Sequence, residues 1–327
     1  MNARKISIAP MMGWTDRHAR YFLRLITKQS LLYTEMINTG ALLHNDQTVG
    51  KQKRLLAYHA SEHPLALQLG GSDPQALMQC ALMAENAGFD EVNLNVGCPS
   101  DRVRSGAFGA CLMAKPELVA DCVRAMNTSV SIPITVKCRI GIDDMDDYQA
   151  FENFISVVAS AGCETFIVHA RKAWLQGLSP KENREVPPLK YDYVHRLKNQ
   201  RPELTIVING GVKTIETVQQ QLHHVDGAMI GREAYHNPYM LASVDSHIYQ
   251  DKSANIKSRE EIVLEMCDYI DAELVNGVAL HSMTRHILGL FQGRPGARAW
   301  RRYLSEESHR PDADTAVVKA ALTKIIN

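Results

Sequence analysis

The feature that most constrains this chain is an alternation. Short runs rich in β-branched residues recur eight times, and helical spacing of apolar residues fills the intervals. The runs are ISIAPM from Ile6, LLYTEMI from Leu31, LALQLGG from Leu65, EVNLNVG from Glu91, ITVKCRI from Ile134, TFIVHAR from Thr165, TIVINGG from Thr205 and GAMIGRE from Gly227. Between them, Leu77, Cys80, Ala81 and Ala84 follow a helix start at Asp73-Pro74 and stop before Gly88, and Phe151, Phe154, Ile155 and Val158 run to Gly162. Strands joined by helical crossovers run parallel, and eight such units are the number that closes a (β/α)8 barrel. An open doubly wound sheet is the competing architecture. The polar residues favour the barrel. Glu35, Gln68, Asn95, Lys137, His169, Asn209 and Arg232 each fall at or near the C-terminal end of a different strand, the face on which barrels build active sites.

After Ser246 the strand signal stops and helical patterns take over: Ile262, Val263, Met266 and Ile270, then Ile287, Leu288 and Phe291, then Val317, Val318 and Ala321. The expected organisation is therefore a TIM-barrel catalytic domain over 1–245 and a smaller all-helical domain over 246–327. Lys and Arg together equal Asp and Glu at 36 each, so net charge names no partner. No apolar run approaches the roughly 18 residues of a membrane helix, and the start lacks a signal-peptide core, which reads as a cytoplasmic protein. The seven cysteines are odd in number and form no C-x-x-C pair, which argues against a disulfide framework or a zinc site.

Several strand endings carry chemistry. NGG at Asn209, Gly210 and Gly211, together with Gly231 and Arg232, closes the seventh and eighth strands. There glycines let backbone N–H groups approach a phosphate and an arginine adds a charge-assisted partner. Lys137 and Arg139 share one face of the fifth strand, so Cys138 points to the helix layer. A buried Lys needs an anionic neighbour, and beside a flavin ring it would offset the charge of the reduced form. His169 and Arg171 share a face on the sixth strand, and Gln68 offers both donor and acceptor to a pyrimidine-like edge. Cys98 stands between Gly97 and Pro99 in a sharply turned loop. A free thiol titrates near about 8.5, so at neutral pH it can give up a proton as well as attack. A long aperiodic segment after the sixth strand carries Lys172, Trp174, Lys181 and Arg184. Near the C-terminus Arg298, Arg301 and Arg302 share one helix face opposite Ala297, Trp300 and Leu304, the kind of surface that meets phosphate backbones.

These motifs, SIAPMMGWTDRH, LALQLGGSDP, NLNVGCPSDRV, ITVKCRIGID, IVHARKAWLQGLSPKENREVPPL, INGG and MIGREAYHNP, resemble the tRNA-dihydrouridine synthases, and the RKAWLQGLSPKENRE loop resembles their A subfamily. The resemblance runs from Ile6 to the Arg-rich helix. It implies an FMN-dependent barrel with a helical tRNA-binding domain, acting as a monomer without a metal. The implied reaction reduces the C5=C6 bond of D-loop uridines, at positions 20 and 20a for this subfamily, with NADPH as reductant. Hydride would pass from flavin N5 to C6 and a proton from Cys98 to C5. By motif, Pro10, Met11, Met12, Gln68, Lys137, His169, Asn209, Gly210, Gly211, Gly231 and Arg232 would hold FMN. Asn95, Lys181, Arg184, Arg298 and Arg301 would contact tRNA. Gly13, where an acidic residue is common, is expected to loosen the loop over the flavin, and Cys138, where Thr or an aliphatic is common, to be silent. Two other readings stay open: a flavin enzyme acting on a free pyrimidine, and a non-catalytic RNA-binding barrel. No G-x-G-x-x-G follows a strand, so no docking site for NADPH is marked.

Overall fold

The computed structural model describes residues 3–43, 54–100 and 106–325. Eight parallel strands form one sheet: β1 (Ile6–Ile8), β2 (Leu32–Asn38), β3 (Leu65–Gly70), β4 (Glu91–Val96), β5 (Ile134–Arg139), β6 (Thr165–His169), β7 (Thr205–Asn209) and β8 (Gly227–Ile230). Neighbours pair in sequence order from β2 to β8, and β8 pairs β1. The remaining seam closes through a parallel bridge between Ser7 and Leu31, with Ile8 N–H donating to Leu31 O at 2.9 Å and Leu31 N–H to Ile6 O at 3.1 Å. The sheet is thus a barrel, and the expected eight strands all form.

Helices follow the strands: α1 (Arg17–Ile26), α2 (Thr39–Leu43), α3 (Pro74–Asn86), α4 (Pro116–Asn127), α5 (Tyr148–Ser160), α6 (Tyr191–Gln200), α7 (Ile215–Leu222) and α8 (Arg232–His236). Their starts are set by side chains that satisfy orphan N–H groups: Asp16 for α1, Asp73 with Pro74 behind it for α3, Asp147 for α5 and Thr214 for α7. Period-two alternation then sorts each strand. On β4, Val92, Leu94 and Val96 join the core between sheet and helices, as Cys138 does on β5, while Glu91, Asn93 and Asn95 turn inward. Inside the barrel only a small apolar cluster remains, with Leu31, Tyr33, Ala66, Ile167, Val207 and Met229 among its members. Polar side chains share the interior.

Beyond β8 the described chain is helical: α9 (Val244–His247), α10 (Arg259–Val275), α11 (Leu280–Thr284), α12 (Ala297–Glu307) and α13 (Thr315–Leu322). Trp300, fully buried, packs edge-on against Phe291 and centres this region. The expected helix through Ile287, Leu288 and Phe291 is instead a series of tight turns, with Ile287 N–H bonding Thr284 O and Leu290 N–H bonding Ile287 O. Gly289 explains the difference. A Cβ there would lie 2.6 Å from the carbonyl oxygen of His236, so the turn exists to seat backbone against α8.

The helical region rests on α1 and on the loop after β1. Tyr269 stacks on Tyr21 with ring centroids 3.9 Å apart and its hydroxyl meets His18 Nδ1 at 2.7 Å, while Arg17 pairs with Glu273. Arg285 donates to Gly13 O at 2.9 Å and His286 Nε2 meets Asp16 Oδ2 at 3.0 Å. This places the helices beside the C-terminal mouth of the barrel.

Candidate active site

Register brings the polar strand endings together. Asn95 lies beside Lys137, Arg139 beside His169, and His169 beside Asn209, so four consecutive strands place these groups around one opening. Cys98 is half-buried in the loop that leaves β4. Asn95 shapes that loop: its Oδ1 accepts from Gly97 N–H at 3.1 Å and Cys98 N–H at 3.0 Å, an Asx turn. Cys98 O accepts from Ala110 N–H at 2.9 Å, and its thiol lies 3.5 Å from Ser100 Oγ. Residues 101–103 of the CPSDRV motif lie outside the described residues.

Arg139, 3% exposed, clamps this loop from the next strand. Its Nε donates to Gly97 O at 2.9 Å, and its Nη1 to Lys172 O and Asn183 O, both at 2.9 Å. Asn183 is wholly buried, with its side chain bonded to Trp174 N–H, Trp174 O and Leu178 O. The long segment after β6 is therefore ordered around one asparagine, and it presents Lys181 and Arg184 to solvent on either side. Lys137, Arg139 and Arg184 all stand near Cys98.

Lys137 Nζ donates to Asn209 Oδ1 at 3.1 Å, and Asn209 Nδ2 donates to Met229 O at 2.9 Å. Burial, then the Arg139 charge, pushes the Lys137 ammonium down to about 8. Burial also drives His169 well below its ordinary value, helped by Arg139, Lys137, Arg171 and Arg184, so its imidazole is neutral. Gly210 (φ +102°) and Gly211 (φ +72°) turn the chain past it; a Cβ on Gly210 would sit 2.6 Å from His169 Cδ2. Tyr191 OH donates to Gly210 O at 2.6 Å and holds the turn.

Arg171 Nε, beside this turn's support, is buried without a partner among the described residues, although Nη1 of the same side chain bonds Pro187 O. A buried, unsatisfied guanidinium N–H is costly unless an anion completes it. With two positive-φ glycines, a neutral imidazole, an available ammonium and the amide of Gln68, the donor set fits a flat heteroaromatic ring carrying a phosphate. Gly231 opens the five-residue α8, and Arg232 within it pairs with Glu185 instead of standing free.

Pro10 and Met11 are half-buried and Met12 is exposed at the opening. Gly13, expected to loosen this loop, is pinned on both sides, its N–H by Glu35 and its oxygen by Arg285. Arg298 is exposed on α12 and Arg301 bonds Gln292 Oε1 at 3.1 Å; among the described residues no hydrogen bond or ion pair joins either to the mouth. Sequence patterning assigns no role to Arg171, Arg139 or Asn183. Their place at i+2 after His169 and Lys137 puts Arg171 and Arg139 on the same strand faces without saying what they bond, whereas Asn183 sits in an aperiodic segment and sends no signal. A surface hollow of about 350 Å³ lined by Lys198, His223, His224 and Asp226 lies at the opposite end of the barrel, away from these groups.

The sequence profile of the dihydrouridine synthase family matches residues 7–326. The tRNA-dihydrouridine(20/20a) synthase of Vibrio vulnificus is 59% identical over 322 residues, 98% of this chain and 97% of that protein. The enzyme of the same name from Escherichia coli K12 is 58% identical, covering 97% of this chain and 90% of that one. Among solved structures, an old yellow enzyme homologue from Zymomonas mobilis superposes with a TM-score of 0.53 at 14% identity, over 79% of this chain and 92% of that one. A 2-naphthoyl-CoA reductase complex gives 0.57 at 10%, over 73% of this chain and 49% of that one. At such identities the two structures speak to the barrel fold.

Proposed function

The chain belongs to the dihydrouridine synthase family, flavin enzymes that reduce uridine to dihydrouridine in tRNA, and from that premise we propose that its flavin is FMN, its reductant NADPH and its targets uridines 20 and 20a of the D-loop. In this reading Pro10, Met11, Met12, Gln68, Lys137, His169, Asn209, Gly210, Gly211, Gly231 and Arg232 hold the cofactor, and Arg171 completes the phosphate site. Once bound, the flavin supplies hydride to C6 of the uracil.

The rest of the chemistry belongs to the protein. Cys98 delivers the proton to C5, because hydride addition at C6 leaves the electron pair of the C5=C6 bond on C5, shared with the C4 carbonyl as an enolate, and protonation at C5 restores the carbonyl. Asn95 holds the thiol's loop through two backbone N–H groups and has one amide N–H left for the base. His169, kept neutral, donates or accepts a hydrogen bond without competing as an acid. Lys137, already close to losing its proton, is stabilised as an ammonium by any anion that forms beside it. The uracil must leave its stack to reach this depth, and Lys181, Arg184, Arg298 and Arg301 hold the surrounding backbone while it does. Residues 1–245 act as the catalytic unit and 246–327 as the tRNA-binding unit. We place the protein in the cytoplasm as a monomer; no helix among the described residues is long and apolar enough to cross a membrane.

The observation that carries this reading is the grouping at one strand-end opening of the Cys98 loop that leaves β4, the Lys137 ammonium of β5 and the neutral His169 imidazole of β6. Mass-spectrometric mapping of unmodified tRNA treated with protein and NADPH tests it. Dihydrouridine at 20 and 20a is expected, and Cys98→Ala should remain yellow and folded yet make none. Product at other positions would overturn the target assignment, and full activity of Cys98→Ala would remove the thiol from its role.

A further inference from the structure

The barrel interior holds a row of polar side chains of which three, Glu91, Asn93 and Thr135, have no part in the chemistry above. Its floor is Glu91, 2% exposed, which pairs with Arg4 and accepts from Tyr33 OH at 2.8 Å and Thr135 Oγ1 at 2.5 Å. Asn93 Nδ2 reaches Thr135 Oγ1 at 2.9 Å, Gln68 Nε2 reaches Asn93 Oδ1 at 2.8 Å, and Asn95 Nδ2 reaches Gln68 Oε1 at 2.9 Å. The row ends where Asn95 Oδ1 receives the N–H groups of Gly97 and Cys98.

The two ends dictate the direction of every bond between them. Backbone N–H groups only donate, so Asn95 must turn its oxygen to Gly97 and Cys98 and its amino group to Gln68. Gln68 therefore accepts through oxygen there and donates through nitrogen to Asn93. Asn93 then has only its nitrogen for Thr135. The single proton of Thr135 is left for Glu91, whose carboxylate, paired with Arg4, only accepts. One amide turned over anywhere would bring donor against donor or acceptor against acceptor in a buried site, and an unmet buried polar group is expensive. Asn93 and Thr135 are both fully buried, so solvent cannot repair such an error.

We infer that Thr135 and Glu91 are positioning residues for the reaction: from the barrel interior they fix which way round the amides of Gln68 and Asn95 stand, and so which polar edge Gln68 offers the flavin and how firmly the Cys98 loop is capped. The flavin half of this rests on Gln68 meeting the cofactor. The cap half rests only on contacts within the chain.

Thr135→Val keeps the shape and removes the hydroxyl; Thr135→Ser keeps the hydroxyl. In Thr135→Val the dissociation constant for FMN, titrated by fluorescence quenching on the apoprotein, should rise about tenfold, the worth of one net hydrogen bond. Amide hydrogen exchange at Gly97 and Cys98 should quicken by a similar factor, and Thr135→Ser should restore both within about twofold. Glu91→Gln, whose amide can donate to Thr135 and turn the row over, should repeat the Thr135→Val pattern. Gln68→Leu is the control for the premise, and adding Thr135→Val to it should not weaken FMN further. If Gln68→Leu loses affinity while Thr135→Val does not, the relay to the flavin is refuted. If Gln68→Leu binds FMN normally, the premise about the cofactor fails instead, and unchanged exchange at Gly97 and Cys98 in Thr135→Val would then overturn the cap half as well. Failure of Thr135→Ser to restore either property would also overturn the inference, since the hydroxyl would not be the operative group.

Discussion

Arg139→Met removes the clamp that joins the Cys98 loop to the segment bearing Lys181 and Arg184. Three backbone carbonyls, those of Gly97, Lys172 and Asn183, are deprived of a charged donor at once. Each carbonyl left buried and unmet costs about 1–3 kcal/mol, so three would cost about 3–9 kcal/mol, against a total stability of about 5–15 kcal/mol for a typical domain. The strands are held by their own ladders, and the loops can move outward to water. The expected outcome is therefore local opening, with a stable barrel and a displaced Cys98. A displacement of order 1 Å in a reacting group costs about 100-fold in rate. Stopped-flow absorbance separates the two half-reactions: bleaching of the flavin by NADPH should change little, while reoxidation by tRNA should slow about 100-fold. Limited proteolysis between 171 and 190 should quicken in parallel. Arg139→Lys, able to keep one of the bonds, should fall between. Reoxidation of Arg139→Met at the wild-type rate, with the segment still protected, would refute the clamp.

Other outcomes follow from the same geometry. Lys137 titrates near 8 in the folded apoprotein and near about 10.5 unfolded, so between these values the unfolded chain binds more protons and this group makes stability rise with pH. Lys137→Met should flatten the melting temperature of the apoprotein across that window, and a profile parallel to wild type would refute the depressed value. Gly210→Ala forces a side chain into φ +102° and against His169, and should cost about 1–3 kcal/mol and release the flavin on gel filtration. Arg171→Met should weaken FMN roughly 10- to 100-fold, the worth of a charge-assisted bond, with titration as the check. Arg298→Ala with Arg301→Ala should raise KM for tRNA at unchanged kcat, and lower the slope of log affinity against log salt by about 0.7–0.9 for each phosphate that is no longer neutralised.

Much of this was legible along the chain. Strand identity was local: β-branched runs such as ITVKCRI alternate with period two, so Cys138 had to face the helices once Lys137 and Arg139 faced inward. The start of α3 was local as well, because the Asp73 side chain satisfies an N–H group three residues on. The helix expected across Ile287 to Phe291 failed where a distant partner intervened, since Gly289 closes against the backbone of α8.

Periodicity says which face a residue takes, not which neighbour it meets there. That Thr135 completes a row from Glu91 to Asn95, that Arg139 holds Gly97 and Asn183 together, that Arg232 is paired by Glu185 and that Arg171 keeps an unmet N–H all depend on the register between strands and on loops tens of residues apart. Those pairings are settled by the stagger needed to close eight twisted strands, a condition on the whole barrel that no single segment carries. The sequence by itself determined the strands, their inward residues and the end at which chemistry gathers. The tertiary structure alone decided which of those residues touch, because hydrogen bonds in a closed barrel are made across strands and not along them.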